Sequence, residues 1–182
     1  GGDGSYRGAL DLCKRGIRCV GIPGTIDNDL PYTEATLGYD TAVNVCVEAV
    51  RSIRATSRSH DRPHVVEVMG RYCGDIAMRT AVATGAEIVI VPEMPWDLRD
   101  VIKRLKEQIA NGNRRATVIV CEHAWENGNM AEYPWRELLC KHDRCVHEDT
   151  PFSAQNLARV LKYECDIEVR ATVIGYTQRG AI

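Results

Sequence analysis

Across 182 residues the chain is 45% hydrophobic and 26% charged, the balance of a soluble globular protein that can enclose one good core or parts of two larger domains. Its 23 basic and 25 acidic side chains leave a formal net charge of −2. Bulk charge therefore points to neither nucleic acid nor a membrane surface, and any anion site must be local. Eight cysteines are scattered, several inside apolar runs, as reduced thiols of a cytoplasmic protein would be, and no apolar run reaches the roughly 18 residues of a membrane span.

The elements alternate. A glycine-rich start, Gly1 to Ser5, leads into a predicted helix over Tyr6 to Lys14, followed by a predicted strand from Arg18 to Ile22. Helices follow at Thr41 to Ser57, Asp75 to Thr84, Leu98 to Ala110 and Ser153 to Glu164. Between them run β-rich segments at His64 to Met69, Glu87 to Val91, Ala116 to Cys121 and Glu168 to Ile174. Asp97 supplies an N-cap and Asn111-Gly112 a stop for the fourth helix. This order predicts an α/β fold, a mostly parallel sheet flanked by helices, with ligands beyond the carboxyl ends of the strands. Residues Ala124 to Thr150 break the rhythm, and read as an insertion or a mobile flap. The chain opens inside a glycine motif without Met and stops after Gln178-Arg179-Gly180-Ala181-Ile182, so it reads as a fragment.

Three polar motifs fall at expected strand ends. Gly24-Thr-Ile-Asp-Asn-Asp29 offers two carboxylates and a nearby hydroxyl, enough to receive a proton and orient a metal–phosphate complex. The same spacing suits an Asx-type turn or a calcium loop, although the other ligands of a Ca²⁺ loop are absent. Met69-Gly70-Arg71 places a guanidinium where it could stabilise a phosphoryl group in flight, or simply form a surface ion pair. Glu122-His123 is the third. Gly1 to Ser5 before a helix suits phosphate, and Asp3 could hold Mg²⁺; an ordinary turn is the plainer reading. Cys140, His142, Cys145 and His147 are ligand types that zinc accepts, in a spacing that fits no standard finger.

Together, Gly-Gly-Asp-Gly-Ser, Pro-Gly-Thr-Ile-Asp-Asn-Asp, Val-Glu-Val-Met-Gly-Arg, Glu-His and Gly-Tyr-Thr-Gln-Arg-Gly resemble the bacterial-type phosphofructokinase family in order and nearly in spacing. The match runs from Gly1 to about His123 and resumes from about Val169. The resemblance implies a homotetramer that moves the γ-phosphoryl of ATP, with Mg²⁺, to the 1-hydroxyl of fructose 6-phosphate in glycolysis. It implies that residues 1–38 belong to a nucleotide-binding domain, 39–178 to a sugar-phosphate domain with an insertion around 124–150, and 179–182 to a return to the first. Asp27 matches the base, supported by Thr25 and Asp29, and Arg71 the residue that steadies the moving phosphoryl group. Gly2, Asp3, Gly4, Ser5 and Gly8 match nucleotide-side positions, with Asp3 the metal-associated carboxylate. Met69, Gly70, Glu122, Tyr176 and Arg179 match sugar-binding positions. Arg62 and Arg170 match arginines that reach the 6-phosphate from a neighbouring subunit, and Arg54 and Glu87 match effector positions.

Glycine at Gly4 and Gly24 favours ATP, since pyrophosphate-dependent relatives typically carry Asp and Lys there. Two alternatives remain open on sequence grounds: a pyrophosphate-dependent enzyme, and a non-catalytic sugar-phosphate-binding module. Where the family has histidine this chain has Tyr176, its second closing glycine is Ala181, and two effector-site lysines are Asn111 and Asn113. Those asparagines remove positive charge from an anion pocket, so weakened control by ADP or phosphoenolpyruvate is expected. The isolated fragment is expected to be inactive.

Overall fold

The computed structural model describes residues 1–130 and 132–180. Four parallel strands form one sheet in the order β2-β4-β1-β6: β1 (His64–Val68), β2 (Ile88–Ile90), β4 (Thr117–Cys121) and β6 (Arg170–Val173). Parallel neighbours need crossover connections, and helices supply them. Helix α3 (Asp75–Thr84) joins β1 to β2, and α4 (Leu98–Ala110) joins β2 to β4. Helices α5 (Trp135–His142) and α6 (Ala154–Cys165) lead from β4 to β6. Two helices precede the sheet in sequence, α1 (Asp3–Lys14) and α2 (Tyr39–His60). A two-residue pairing of β3 (Trp96–Asp97) with β5 (Gly128–Asn129) lies outside the main sheet.

The burial pattern follows from helices on both faces. All five β4 residues are buried, because a central strand has no solvent face. Alternate side chains go to opposite sides. Val65, Val118 and Val120 pack with Leu98, Leu105, Leu157 and Leu161 of α4 and α6. Val66, Val68 and Ile119 pack with Ala42, Val50, Ile76 and Ala77 of α2 and α3. Helix α3 thus leaves β1 on one face, while the chain leaving the adjacent β4 reaches α6 on the other. That divergence opens a crevice at the carboxyl ends of β1 and β4, a topological switch point.

Local signals explain most boundaries. Asp97 accepts a hydrogen bond from Arg99 N at 2.8 Å and starts α4; α3 ends at Gly85, whose φ of 66° only glycine adopts freely. Arg18 to Ile22 forms no strand: it joins no sheet among the described residues, its Ile22 O accepts only from the Gly1 amino group at 2.6 Å, and Val20 and Ile22 are exposed. The glycine motif before the first helix is partly helical itself, since α1 begins at Asp3. The segment read as a flap is anchored at several points. Trp135 and Leu139 of α5 are buried, and the Phe152 ring meets Trp135, Trp125 and Trp96 with centroids 4.9, 5.4 and 6.4 Å away. Among the described residues no helix is long and apolar enough to cross a membrane.

His64 opens β1, buried, with Nε2 2.8 Å from Thr172 Oγ1. Burial, then the nearby positive charges of Arg62 and Arg170, pulls its pKa down to about 4. The folded pKa lies below the unfolded value of about 6.5, so this stabilisation is present above pH 6.5 and is lost as pH falls through 4. The linkage is worth up to about 3 kcal/mol over that window. Urea midpoints at pH 7 and pH 4.5 are expected to differ less in His64→Asn than in the unsubstituted chain; an equal difference would exclude His64 as a source.

Candidate active site

The crevice becomes a cavity of about 590 Å³ bordered by loops from three directions. Beyond β1, Met69-Gly70-Arg71 turns sharply, with φ of 148° at Gly70 and 54° at Arg71. A Cβ at residue 70 would lie 2.4 Å from Cys73 O, so glycine is required there. Beyond β4, Glu122 holds this turn: its Oε1 accepts from Gly70 N at 3.3 Å and Arg71 N at 3.0 Å. From the far end of the chain, buried Gln178 accepts from Met69 N at 2.8 Å and from the Cys46 thiol at 3.5 Å. Two segments distant in sequence, at Glu122 and Gln178, therefore fix one tripeptide.

The Gly24 to Asp29 loop closes the opposite wall. Asp27 N donates to Thr25 Oγ1 at 3.1 Å, and Asn28, at φ 55°, accepts from Thr36 N at 3.1 Å. A Cβ at Gly38, just before α2, would lie 3.1 Å from Gly24 O and 3.2 Å from Thr25 O, so the loop rests directly on the entry to that helix. Both aspartates flank a second cavity of about 510 Å³ that shares Gly2, Asp3, Thr25, Asp27 and Arg71 with the first. Those shared residues form the ridge where two bound molecules would meet. Gly2 caps α1 without any side-chain hydrogen bond, leaving its first N–H groups available to an anion.

Burial, and next the negative charge of Asp29, raises the Asp27 pKa; the Thr25 hydrogen bond, and after Glu122 the Arg71 charge, pull in their respective directions. The Thr25 and Arg71 contributions lower it and Glu122 raises it, with a net rise. A carboxyl so poised is a better proton acceptor once ionised than an ordinary surface aspartate. The Arg71 guanidinium lies 4.0 Å from Asp3, which Arg7 also approaches at 3.4 Å. These pairs are exposed and of little value for stability, so Arg71 is free to turn to an anion.

The sequence-derived site residues separate into groups. Gly2, Asp3, Thr25, Asp27, Met69, Arg71, Glu122 and Arg179 line the first cavity, and Asp29 lines the second. Gly70 belongs through its N–H bond to Glu122. Gly4, Ser5 and Gly8 lie on α1, and open space surrounds a Cβ at either glycine. Tyr176 is exposed and stacks under the Arg179 guanidinium at 4.8 Å. Ala181 lies outside the described residues. Arg62 and Arg170 sit elsewhere, at the amino ends of β1 and β6, where His64 pairs in register with Arg170. Arg54 and Glu87 form a separate ion pair at 3.2 Å beside a polar cavity of about 400 Å³ lined by Arg54, Arg58, Asn111, Gly112, Asn113 and Arg115. Glu87 also accepts from Asn113 Nδ2 at 3.1 Å and Thr117 N at 2.6 Å.

Sequence reasoning did not single out Gln178, Asn28 or His123 as individual residues of the site. His123 lines the first cavity at φ 61°, its Nδ1 2.8 Å from Glu126 Oε1 and its ring 4.6 Å from that of Tyr72. Its place directly after Glu122 was the available signal. Gln178 and Asn28 act through distant backbone partners, which spacing alone does not reveal.

A carboxyl base, a guanidinium and an open helix N-terminus at the switch point of a doubly covered parallel sheet make a site suited to passing an anionic group to a hydroxyl. The phosphofructokinase family model matches residues 1–182, and the chain belongs to that family. It is 42% identical over 181 residues to the ATP-dependent 6-phosphofructokinase of Paenibacillus macquariensis, covering 99% of this chain and 48% of the relative. The protein of that name from Tolumonas auensis is 43% identical over 180 residues, with the same shares covered. The chain thus spans about half the length of the curated relatives it matches. Among solved structures, phosphofructokinase from Saccharomyces cerevisiae aligns with a TM-score of 0.69 at 30% identity, over 88% of this chain and 19% of that one. A pyrophosphate-dependent phosphofructokinase from Marinobacter aquaeolei aligns with a TM-score of 0.68 at 23% identity, over 97% of this chain and 42% of that one, a likeness of fold alone.

Proposed function

We propose that this chain is part of an ATP-dependent 6-phosphofructokinase, which transfers the γ-phosphoryl group of ATP to the 1-hydroxyl of fructose 6-phosphate. The observation that carries the reading is the shared ridge of Asp3, Thr25, Asp27 and Arg71 between two adjoining cavities. It supports one molecule on each side, with the proton acceptor and the cation at their junction. Relatives at about 42% identity bear this name, and glycine at Gly4 and Gly24 leaves room for nucleotide phosphates.

In this mechanism Asp27 takes the proton of the sugar 1-hydroxyl as that oxygen attacks the γ-phosphorus. Thr25 holds the Asp27 backbone, and Asp29 keeps the Asp27 carboxyl basic by like-charge repulsion. Arg71 neutralises charge that spreads over the oxygens in transit. Glu122 positions Arg71 through the backbone, and Arg179 and Met69 border the sugar. Asp3 would hold Mg²⁺: its carboxylate is a hard oxygen donor on the cavity wall with only exposed arginine partners. When bound with ATP, the ion would supply charge neutralisation at the phosphates.

Residues 1–38 fall on the nucleotide side of this scheme, and 39–178 carry the sugar phosphate. Arg62 and Arg170, at the amino ends of β1 and β6, serve the 6-phosphate of a neighbouring subunit, so assembly completes the site; the family resemblance makes that assembly a homotetramer. The cytoplasm is the expected setting, as for a glycolytic enzyme. The reading is tested by calorimetry with fructose 6-phosphate alongside a turnover assay on the intact protein. Binding together with ATP turnover is expected; binding without turnover would make the protein a non-catalytic module.

The cavity beside Arg54 and Glu87 is the effector site in this scheme. Asn111 and Asn113 leave it Arg54, Arg58 and Arg115 but not the two lysines of the family pattern. Activation by ADP is therefore expected to be weak. Restoring both charges in Asn111→Lys/Asn113→Lys is expected to lower the activating concentration roughly tenfold, about 1.4 kcal/mol. An activator titration giving strong activation before substitution would contradict this assignment.

A further inference from the structure

With the site read as a phosphoryl-transfer centre, we propose that Asn28 and Asp75 form a latch that sets the spacing between Asp27 and Arg71. Asn28 Nδ2 donates to Asp75 Oδ2 at 3.4 Å in a half-buried contact. Among the described residues this is the one side-chain hydrogen bond between the Gly24 to Asp29 loop and the segment running from Met69 into α3. It ties the loop that carries the base to the helix that follows the guanidinium.

Each end of the latch is joined closely to one reacting group. Asn28 lies between Asp27 and Asp29, at a φ of 55° that asparagine tolerates better than most residues. Its Oδ1 accepts from Thr36 N at 3.1 Å, and its Nδ2 also reaches Glu34 O at 3.5 Å. Those two contacts shape the turn itself; the Asp75 contact reaches outside it. Asp75 opens α3 just after Arg71. The turn between them is braced by Cys73 N donating to Gly70 O at 2.8 Å and Gly74 N donating to Glu93 Oε1 at 2.7 Å. Asp75 Oδ1 faces Arg79 Nε at 3.6 Å, one turn along the helix, which leaves Oδ2 to the loop.

Asp27 and Arg71 serve the two partners of one transfer, the hydroxyl and the phosphoryl group, yet they come from segments far apart in the chain. A displacement of roughly 1 Å between such groups costs about 10²-fold in rate. Neither Asn28 nor Asp75 lines either cavity, so both are positioning residues rather than participants. The chemistry of the pair is directional: an amide N–H donates and a carboxylate accepts. Two facing carboxylates would repel and part the loop from the helix, whereas two facing amides keep a donor and an acceptor.

The test is a double-substitution cycle on the intact enzyme, with kcat, KM for fructose 6-phosphate and the unfolding midpoint read for each variant. Asn28→Asp, with Asp75 unchanged, is expected to lower kcat about 30- to 100-fold and to leave KM within a few-fold. Asp75→Asn keeps an acceptor oxygen and is expected to cost about threefold or less. In the Asp75→Asn background, Asn28→Asp again faces an amide donor, and its cost is expected to fall to about threefold. Any effect of the new charge on neighbouring Asp27 is common to both backgrounds and drops out of the comparison. An equal loss of kcat in both backgrounds, with ordinary ATP turnover in the unsubstituted enzyme, would overturn the latch alone. So would a lowered unfolding midpoint with the kcat of the folded enzyme unchanged, the mark of a structural contact. No ATP turnover in the unsubstituted enzyme would overturn the phosphoryl-transfer reading and the latch with it.

Discussion

Asp27→Asn in the intact enzyme is expected to lower kcat by about 10²–10⁴-fold while leaving the affinity for fructose 6-phosphate within a few-fold. The amide keeps the size and most of the polarity of the loop, and the backbone bond from residue 27 N to Thr25 Oγ1 does not involve the side chain. What disappears is the ability to accept a proton. The environment of Asp27 also fixes a pH signature. Burial and Asp29 raise its pKa, so the carboxyl is protonated and inactive below a value higher than that of an ordinary aspartate. The acid limb of the kcat profile therefore lies above the usual carboxylate range, and in Asp29→Asn it shifts to lower pH. A variant Asp27→Asn that retained near-normal kcat would remove Asp27 from the chemistry.

Arg71→Ala is expected to be comparably severe, lowering kcat by about 10³-fold with a smaller effect on substrate KM. Two observations separate its catalytic part from a structural one. The Arg71 side chain is 55% exposed and its pairing with Asp3 is long at 4.0 Å, so little folding free energy is at stake. The turn that presents it is held by Glu122 and Gln178 through backbone N–H groups, which an alanine retains. The unfolding midpoint of Arg71→Ala is therefore expected to stay near that of the parent. A large loss of stability would reassign Arg71 to the architecture. Arg71→Lys is expected to recover only part of the rate, because an ammonium lacks the planar fork that spans two oxygens.

How much of this was legible in the sequence depended on how local each cause was. Helices α3 and α4 carry both start and stop signals, Gly74-Asp75 with Gly85 and Asp97 with Asn111-Gly112, and their predicted bounds match. Helix α5 had weak periodicity and no N-cap side chain; packing of Trp135 and Leu139 makes it visible only in three dimensions. Arg18 to Ile22 has strand-forming residues, but a strand is a pairing between segments, and no strand among the described residues lies beside it. Asp27, Thr25 and Arg71 could be read from motifs because their chemistry is carried by their own side chains. The buried glutamine at position 178 could not, since its role is a hydrogen bond to the backbone of Met69, far away in the chain. The separation of Arg62 and Arg170 from Asp27 follows from their place at the amino ends of strands, once those strands are known to run parallel.

The most direct measurement is a donor comparison on the intact enzyme with fructose 6-phosphate, supplying ATP or pyrophosphate in turn. Phosphorus NMR would follow which hydroxyl of the sugar gains phosphate. With ATP, ADP and fructose 1,6-bisphosphate are expected in equal amounts, with no turnover on pyrophosphate and, in Asp27→Asn, turnover with ATP lowered about 10²–10⁴-fold. Turnover with pyrophosphate in place of ATP, or phosphate gained at any position other than the 1-hydroxyl, would contradict the account.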